Sequence, residues 1–186
     1  MYIKIKRGID LILALGLLII FGIPMCIIAI CIKLEDGGQV IYKSKRMGKG
    51  LKEFNVYKFR SMTTKREELH SDLSHEQMVT KVGKVIRKTS LDELPQLLNI
   101  LKGDMSVIGN RPYLPREKKD MNGYFDEIVK TKPGLTGYWQ GSGRSKTDFK
   151  TRLKLESYYS NHMSLKMDIK IFFGTFSAVF GHVGAK

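Results

Sequence analysis

Between Leu11 and Ile32 the chain runs for 22 residues without a charge. Wound as a straight helix, such a stretch is about 33 Å long, close to the hydrocarbon thickness of a bilayer. It is too long for a typical signal-peptide core, and no small-residue cleavage site follows it, so it is expected to be retained. Pro24 lies near its middle, with Gly22 two residues before. Proline removes a backbone hydrogen bond and its ring clashes with the preceding turn, so a kink is expected there. Basic residues flank both ends: Lys4, Lys6 and Arg7 before, Lys33, Lys43, Lys45 and Arg46 after. That symmetry gives no orientation by the positive-inside rule. Two placements are compatible with it. The helix spans the bilayer, or it bends at Pro24 and returns both flanks to the cytoplasmic side.

The 186 residues allow one compact domain beside this segment. The remaining length of about 150 residues can bury a core without metal or disulfide staples. Lys and Arg number 32 against 18 acids, a net charge of +14. Such an excess favours phosphate-rich partners, and beside a membrane segment it favours lipid headgroups over nucleic acid. The two cysteines, Cys26 and Cys31, lie inside the apolar stretch. They read as inert packing residues, not as a disulfide framework or a zinc site.

After the anchor, Gly37-Gly38 reads as a turn, and Val40–Tyr42 and Phe54–Phe59 as the strands of a β-hairpin around Gly48-Lys49-Gly50. Arg66–His75 reads as polar helix or loop, and Val79–Val85 as a short segment broken by Gly83. Leu91, Leu94, Leu97, Leu98 and Leu101 fall at helical spacing, ended by Gly103. Arg111–Pro115 reads as a proline-fixed turn. Arg116–Lys130 reads as an amphipathic helix, the segment around Gln140-Gly141 as a loop, and Phe149–Tyr159 as helix. The apolar face of Leu165–Val183 suits either the bilayer interface or core packing. The fold class expected is α+β and mostly helical, with residues 1–36 as membrane element and 37–186 as a cytoplasmic domain on the membrane surface.

Asp92 and Glu93 stand between cations and a helix. Ser90-Leu91-Asp92-Glu93 fits a capping box. Pro95, however, sits better in a first helical turn that begins at Asp92. In both arrangements two carboxylates stand at a helix N-terminus, where amide dipoles favour anions. Asp92 is expected to share a polar face with Gln96 and Asn99 and to be free to meet a ligand. An aspartate there can attack phosphorus as a nucleophile. The attack needs cations, which Mg²⁺ together with Arg87, Lys88 and Arg111 could supply. Simple capping remains the competing account. The four histidines (His70, His75, His162, His182) have no ligand spacing, and no Walker loop or Rossmann glycine pattern is present.

The order of motifs resembles a known family. A basic start and a proline-broken apolar helix precede Tyr57-Lys58-Phe59-Arg60-Ser61-Met62. Then come Thr89-Ser90-Leu91-Asp92-Glu93-Leu94-Pro95-Gln96, Gly109-Asn110-Arg111-Pro112 and Lys132-Pro133-Gly134-Leu135-Thr136-Gly137. Over nearly its whole length the chain resembles the monotopic polyprenol-phosphate phosphoglycosyl transferases, bacterial sugar transferases, in their short form with the catalytic core only. The resemblance implies that Asp92 attacks the β-phosphate of a nucleotide diphosphate sugar, a UDP-sugar in the first instance. A covalent phosphosugar–aspartate forms, UMP leaves, and a polyprenol phosphate such as undecaprenyl phosphate takes the phosphosugar. Glu93 would hold Mg²⁺ with Asp92 or assist the acceptor as base. Arg111 matches the family's phosphate-binding arginine. Lys58, Arg60 and Arg87 occupy motif positions suited to neutralising phosphates, and Gln140 and Arg144 would meet nucleotide or sugar. The resemblance also implies a re-entrant helix, a cytoplasmic-face site on the bacterial inner membrane, and a role in starting glycan or exopolysaccharide assembly. Two departures stand out: Ile23 where the family often has serine before the proline, and Glu156 where an aspartate is common.

Two other readings stay open on the sequence. One is direct transfer in a ternary complex without a covalent intermediate. The other is a basic, membrane-associated binding module for RNA or anionic lipid. Few aromatics accompany the basic clusters, so nucleic acid is not the expected partner. The apolar helices could pack with lipid or with a second copy, which makes a homodimer compatible with the sequence.

Overall fold

The computed structural model describes residues 2–63, 78–141 and 148–180, with the backbone alone for 176–180. Helix α1 spans Tyr2–Asp36 with Pro24 inside it. Among the described residues it is the one helix long and apolar enough to cross a membrane. Ile12, Ile19, Ile20 and Ile23 project outward, Ile19 to 82% exposure. A face of that extent and apolarity is not a water-facing surface.

Both ends of α1 are held by the same body of protein. Near its start, Arg7 donates to the carbonyls of Ile100 and Leu101 at 2.6 and 2.9 Å. The buried Asp10 carboxylate accepts from Ser106 Oγ and the Val107 amide, both at 2.9 Å. At its far end Glu35 accepts from the Lys81 amide at 2.7 Å, and Asp36 pairs with the Arg60 guanidinium. Between these polar anchors, Ala14 packs with Val56, Leu97 and Ile100. Ile28 and Ile32 pack with Phe59 and Ile86.

The expected hairpin forms, longer on its first strand than the sequence suggested. β1 (Ile41–Met47) and β2 (Glu53–Phe59) pair antiparallel, with Ile41 opposite Phe59 and Met47 opposite Glu53. The connecting turn needs a left-handed residue, and Gly50 supplies it at φ +67°. α2 (Lys81–Lys88) runs through Gly83 instead of breaking there. The reason is packing: a Cβ on Gly83 would stand 2.1 Å from the Ser61 carbonyl oxygen. The glycine lets helix and chain touch.

α3 (Gln96–Lys102) ends at Gly103, as expected. Its polar face is not solvent-directed. Gln96 and Asn99 are buried while Leu98 is exposed. Asn99 accepts from the Tyr57 amide at 3.0 Å and donates to the Asn55 carbonyl at 2.7 Å, fastening α3 to the open edge of β2. Its side chain completes backbone groups that the two-stranded ladder leaves unpaired.

Two short strands, β3 (Ser106–Ile108) and β4 (Gly134–Thr136), pair in parallel. The segment Arg116–Lys130 is not one helix. A 3₁₀ turn over Pro115–Asp120 is followed by α4 (Tyr124–Ile128). Asn122 and Gly123 separate them in the left-handed region, which no α-helix passes through. Gln140-Gly141, read as the start of a loop, instead closes the single-turn α5 (Tyr138–Gly141). α6 (Phe149–His162) starts at Asp148, whose carboxylate accepts from the Thr151 amide at 2.5 Å. α7 (Leu165–Phe180) returns against α1. The expectations for Arg66–His75, Arg144, His70, His75 and His182 fall outside the described residues.

Candidate active site

Asp92 and Glu93 sit on a 3₁₀ turn, Leu91–Glu93. The capping box does not form: Ser90 is left-handed at φ +58°, and its side chain caps nothing. Nor does Asp92 cap α3, whose first-turn neighbour is Pro95. A serine in this region is strained by about 1–2 kcal/mol, and such strain often accompanies a functional turn. The turn directs the acidic pair away from α3 and beside β2. There Lys58 Nζ donates to Glu93 Oε1 at 2.6 Å.

Glu93 and Lys58 line a cavity of about 140 Å³ together with Gln96, Arg111, Gln140 and two residues the sequence reading missed, Arg46 and Trp139. Arg46 comes from β1 and donates to the Pro112 carbonyl at 3.3 Å. Burial, reinforced by the nearby Arg111 charge, lowers its pKa. Among the described residues no carboxylate lies within ion-pair distance of the Arg111 side chain. Arg46 has Glu117 at 4.0 Å, and the two crowded guanidiniums still favour an anionic ligand between them. Burial raises the pKa of Asp92. Lys58 opposes this shift, Glu93 adds to it, and Arg87 opposes it too. A desolvated carboxylate is a stronger base and a better nucleophile than one in water.

The Arg111 loop is pinned from two sides. Asn110 donates to the Ile128 carbonyl at 3.1 Å and to Ser160 Oγ at 2.6 Å. The Arg111 amide donates to Glu156 Oε1 at 3.0 Å. Gly109 and Gly134 touch backbone to backbone; a Cβ on Gly134 would lie 2.1 Å from the Gly109 nitrogen. Glu156 is fully buried, and its Oε2 faces Tyr113 and Arg152 without completing a hydrogen bond. Arg152 in turn lies over the Trp139 ring, 4.7 Å from its centre. Glu156 thus supports the cavity from behind.

Burial pushes the Glu156 carboxyl up to about 7. A folded-state pKa above the unfolded value means that stability is greatest with the proton bound. It is lost as pH rises from the ordinary carboxyl range through about 7. Glu156→Gln is therefore expected to flatten the fall in apparent Tm between acidic and mildly alkaline pH. The check is thermal unfolding of both proteins across that range.

The structure brings Lys58, Glu93, Arg111 and Gln140 to one cavity, with Asp92 beside it. Arg87 is exposed on the last turn of α2, near enough for its charge to act on Asp92. Arg60 is not there. It is buried, pairs with Asp36 and donates to the Gln39 and Met62 carbonyls. Its position is structural, at the junction of α1 with β2.

Residues 1–182 match the family described as bacterial sugar transferase. The chain is 42% identical to "Galactosyl transferase CpsE" of Streptococcus agalactiae, over 97% of this chain and 43% of that protein. It is 38% identical to "Undecaprenyl-phosphate galactose phosphotransferase" of Salmonella typhimurium, over 97% and 41%. It is 37% identical to "Exopolysaccharide production protein ExoY" of Rhizobium meliloti, over 94% and 84%. The chain thus spans less than half the length of the first two relatives. With a family match over nearly its whole length, the chain belongs to the bacterial sugar transferase family.

Proposed function

We propose that this chain transfers a phosphosugar from a nucleotide diphosphate sugar, a UDP-sugar, to a polyprenol phosphate at the cytoplasmic face of the membrane. The observation that carries this reading is the acidic turn Asp92–Glu93 beside a cavity walled by Lys58, Arg46 and Arg111. An undecaprenyl phosphate acceptor is in keeping with the name of the Salmonella relative.

Asp92 is the nucleophile. Its carboxylate attacks the β-phosphorus, an aspartyl–phosphorus bond forms, and the bond from that phosphorus to the bridging oxygen breaks. UMP leaves with the bridging oxygen. A phosphate oxygen of the polyprenol phosphate then attacks the same phosphorus and returns Asp92 as a free carboxylate. Arg111 and Arg46 bind the diphosphate, and Lys58 holds Glu93 in place between turns of the reaction. Trp139 and Gln140 stand where the sugar or base would lie.

Mg²⁺ fits the donor set. Among the described residues no group of three or more metal-ligating side chains exists, and Mg²⁺ commonly takes one or two carboxylates plus substrate phosphates. Asp92 and Glu93 would hold it, and it would neutralise charge building on the leaving phosphate.

Re-entry of α1 is supported by its anchoring. Arg7 and Asp10 near one end, and Glu35 and Asp36 at the other, all bind the same folded body. A bend at Pro24 lets the apolar middle dip into one leaflet while both polar ends stay at the surface.

The test is UMP release from a panel of UDP-sugars, with and without undecaprenyl phosphate. Release is expected from at least one donor, and EDTA is expected to abolish it. Release only when acceptor is present would favour direct transfer. No release from any UDP-sugar would overturn the choice of donor.

A further inference from the structure

Beside the start of α1 and β3, two cavities meet. One, of about 90 Å³, is lined by Lys6, Arg7, Lys49, Lys130 and Lys132. The other, of about 250 Å³, is lined by Ile9, Leu13, Leu165, Ile169, Phe172 and Phe173, between the first half of α1 and α7. They share Lys6 and Asp10, and neither shares a residue with the cavity beside Asp92.

The polar cavity carries an excess of positive charge. Asp10 is the one carboxylate in its lining, and it is taken up by Ser106 and Val107. Lys6 pairs with Asp168 at 2.5 Å, and Arg7 donates to carbonyls. Lys49, Lys130 and Lys132 have no carboxylate within ion-pair distance among the described residues. Arg7 Nη2 and Lys132 Nζ each lie 3.5 Å from the point where a Cβ on Gly103 would stand, so they are within about 7 Å of each other. Partial burial, followed by the Arg7 charge, lowers the pKa of Lys132; Asp10 opposes the shift, Lys49 adds to it and Asp104 opposes it. Five cationic side chains gathered around the single carboxylate of the lining, with Asp104 and Asp168 nearby, leave a net positive charge that a bound anion stabilises.

The apolar groove indicates what kind of anion. It opens beside Ile9, Ile169 and Phe173, which are exposed and continuous with the outward face of α1. A free phosphate would fill the cationic cavity and leave the groove empty. An amphiphile fills both. We infer that the cationic cavity and the adjoining groove together bind one anionic phospholipid of the phosphatidylglycerol class, its headgroup among Lys49, Lys130 and Lys132 and an acyl chain between α1 and α7. This rests on the reading that α1 lies in the bilayer, not on the transfer reaction. The polyprenol phosphate acceptor is a different ligand, because its phosphate must reach Asp92.

The test is native mass spectrometry of the full chain released from detergent micelles doped with phosphatidylglycerol or phosphatidylcholine. One phosphatidylglycerol is expected to be retained and phosphatidylcholine not. Lys49→Gln with Lys130→Gln, both at exposed positions, is expected to weaken retention about 10- to 30-fold. Lys43→Gln with Lys45→Gln removes the same charge from the hairpin and is expected to leave retention unchanged. Equal retention of phosphatidylcholine would overturn the headgroup assignment. Equal loss in both double variants would reduce the effect to bulk charge. Displacement of phosphatidylglycerol by equimolar undecaprenyl phosphate would make this the acceptor's site. None of these readouts depends on turnover, so the inference and the proposed reaction can fail separately.

Discussion

Asp92→Asn is expected to abolish phosphosugar transfer while the protein remains folded and membrane-bound. Loss of a covalent nucleophile typically lowers turnover by about 10⁴-fold or more. The amide is nearly isosteric, and Asp92 is neither a helix cap nor the partner in an ion pair within 4 Å among the described residues. The variant also removes a carboxylate whose pKa is raised by burial, so a small gain in stability is in order. Circular dichroism and detergent extraction would check the fold, and UMP release would check the chemistry. Glu93→Gln makes a useful companion. It removes the negative charge facing Lys58 Nζ, which lies 2.6 Å from Glu93 Oε1, and leaves the nucleophile in place.

Asp36→Ala is expected to have the largest effect on stability. The Asp36 carboxylate takes both terminal nitrogens of Arg60 where α1 meets the hairpin. The Arg60 side chain is 6% exposed, and the Asp36 hydrogen bond holds its pKa above the ordinary value. Removing the carboxylate leaves a buried guanidinium with, among the described residues, the Gln39 and Met62 carbonyls as its acceptors. Stranding one member of such a pair costs about 3–5 kcal/mol. Thermal unfolding in detergent would read this as a clear drop in Tm. Pairing the change with Arg60→Met is expected to recover much of the loss, because an apolar pair strands no charge. If Arg60 bound substrate instead, Asp36→Ala would change KM and leave Tm in place.

The two cases show which parts of the molecule could be read from sequence. The acidic pair, the arginine after Gly109-Asn110 and the hairpin are local signals, a few residues with a distinct chemistry or period; the hairpin forms, and Glu93 and Arg111 line one cavity, although the acidic pair sits on a 3₁₀ turn and caps no helix. Arg60 sits in the same basic motif as Lys58, and strict alternation would send the two to one face, but β2 ends at Phe59 and Arg60 lies just past it. One meets Glu93; the other meets Asp36, a residue 24 positions earlier at the end of a membrane helix. That pairing has no local signature. The same holds for Arg46 and Trp139, brought to the cavity by β1 and α5 from distant parts of the chain. β3 and β4 are three residues each, too short for any periodicity to mark them. Gln96 and Asn99 read from the sequence as sharing a polar face with Asp92, yet both are buried. Here the open edge of β2 offered Asn99 unpaired backbone groups, and satisfying them outweighs exposure. Glu156 drew attention only as a departure from a family pattern. Its burial behind Arg111 is visible only in three dimensions.

The covalent role of Asp92 is tested most directly by the intact mass of the protein after incubation with a UDP-sugar and Mg²⁺ and without acceptor. The expected result is a mass gain of one phosphosugar on the wild type, matched by one equivalent of UMP, absent from Asp92→Asn and discharged by undecaprenyl phosphate. An adduct that persists on Asp92→Asn, or turnover with no adduct and no UMP until acceptor is added, would contradict it.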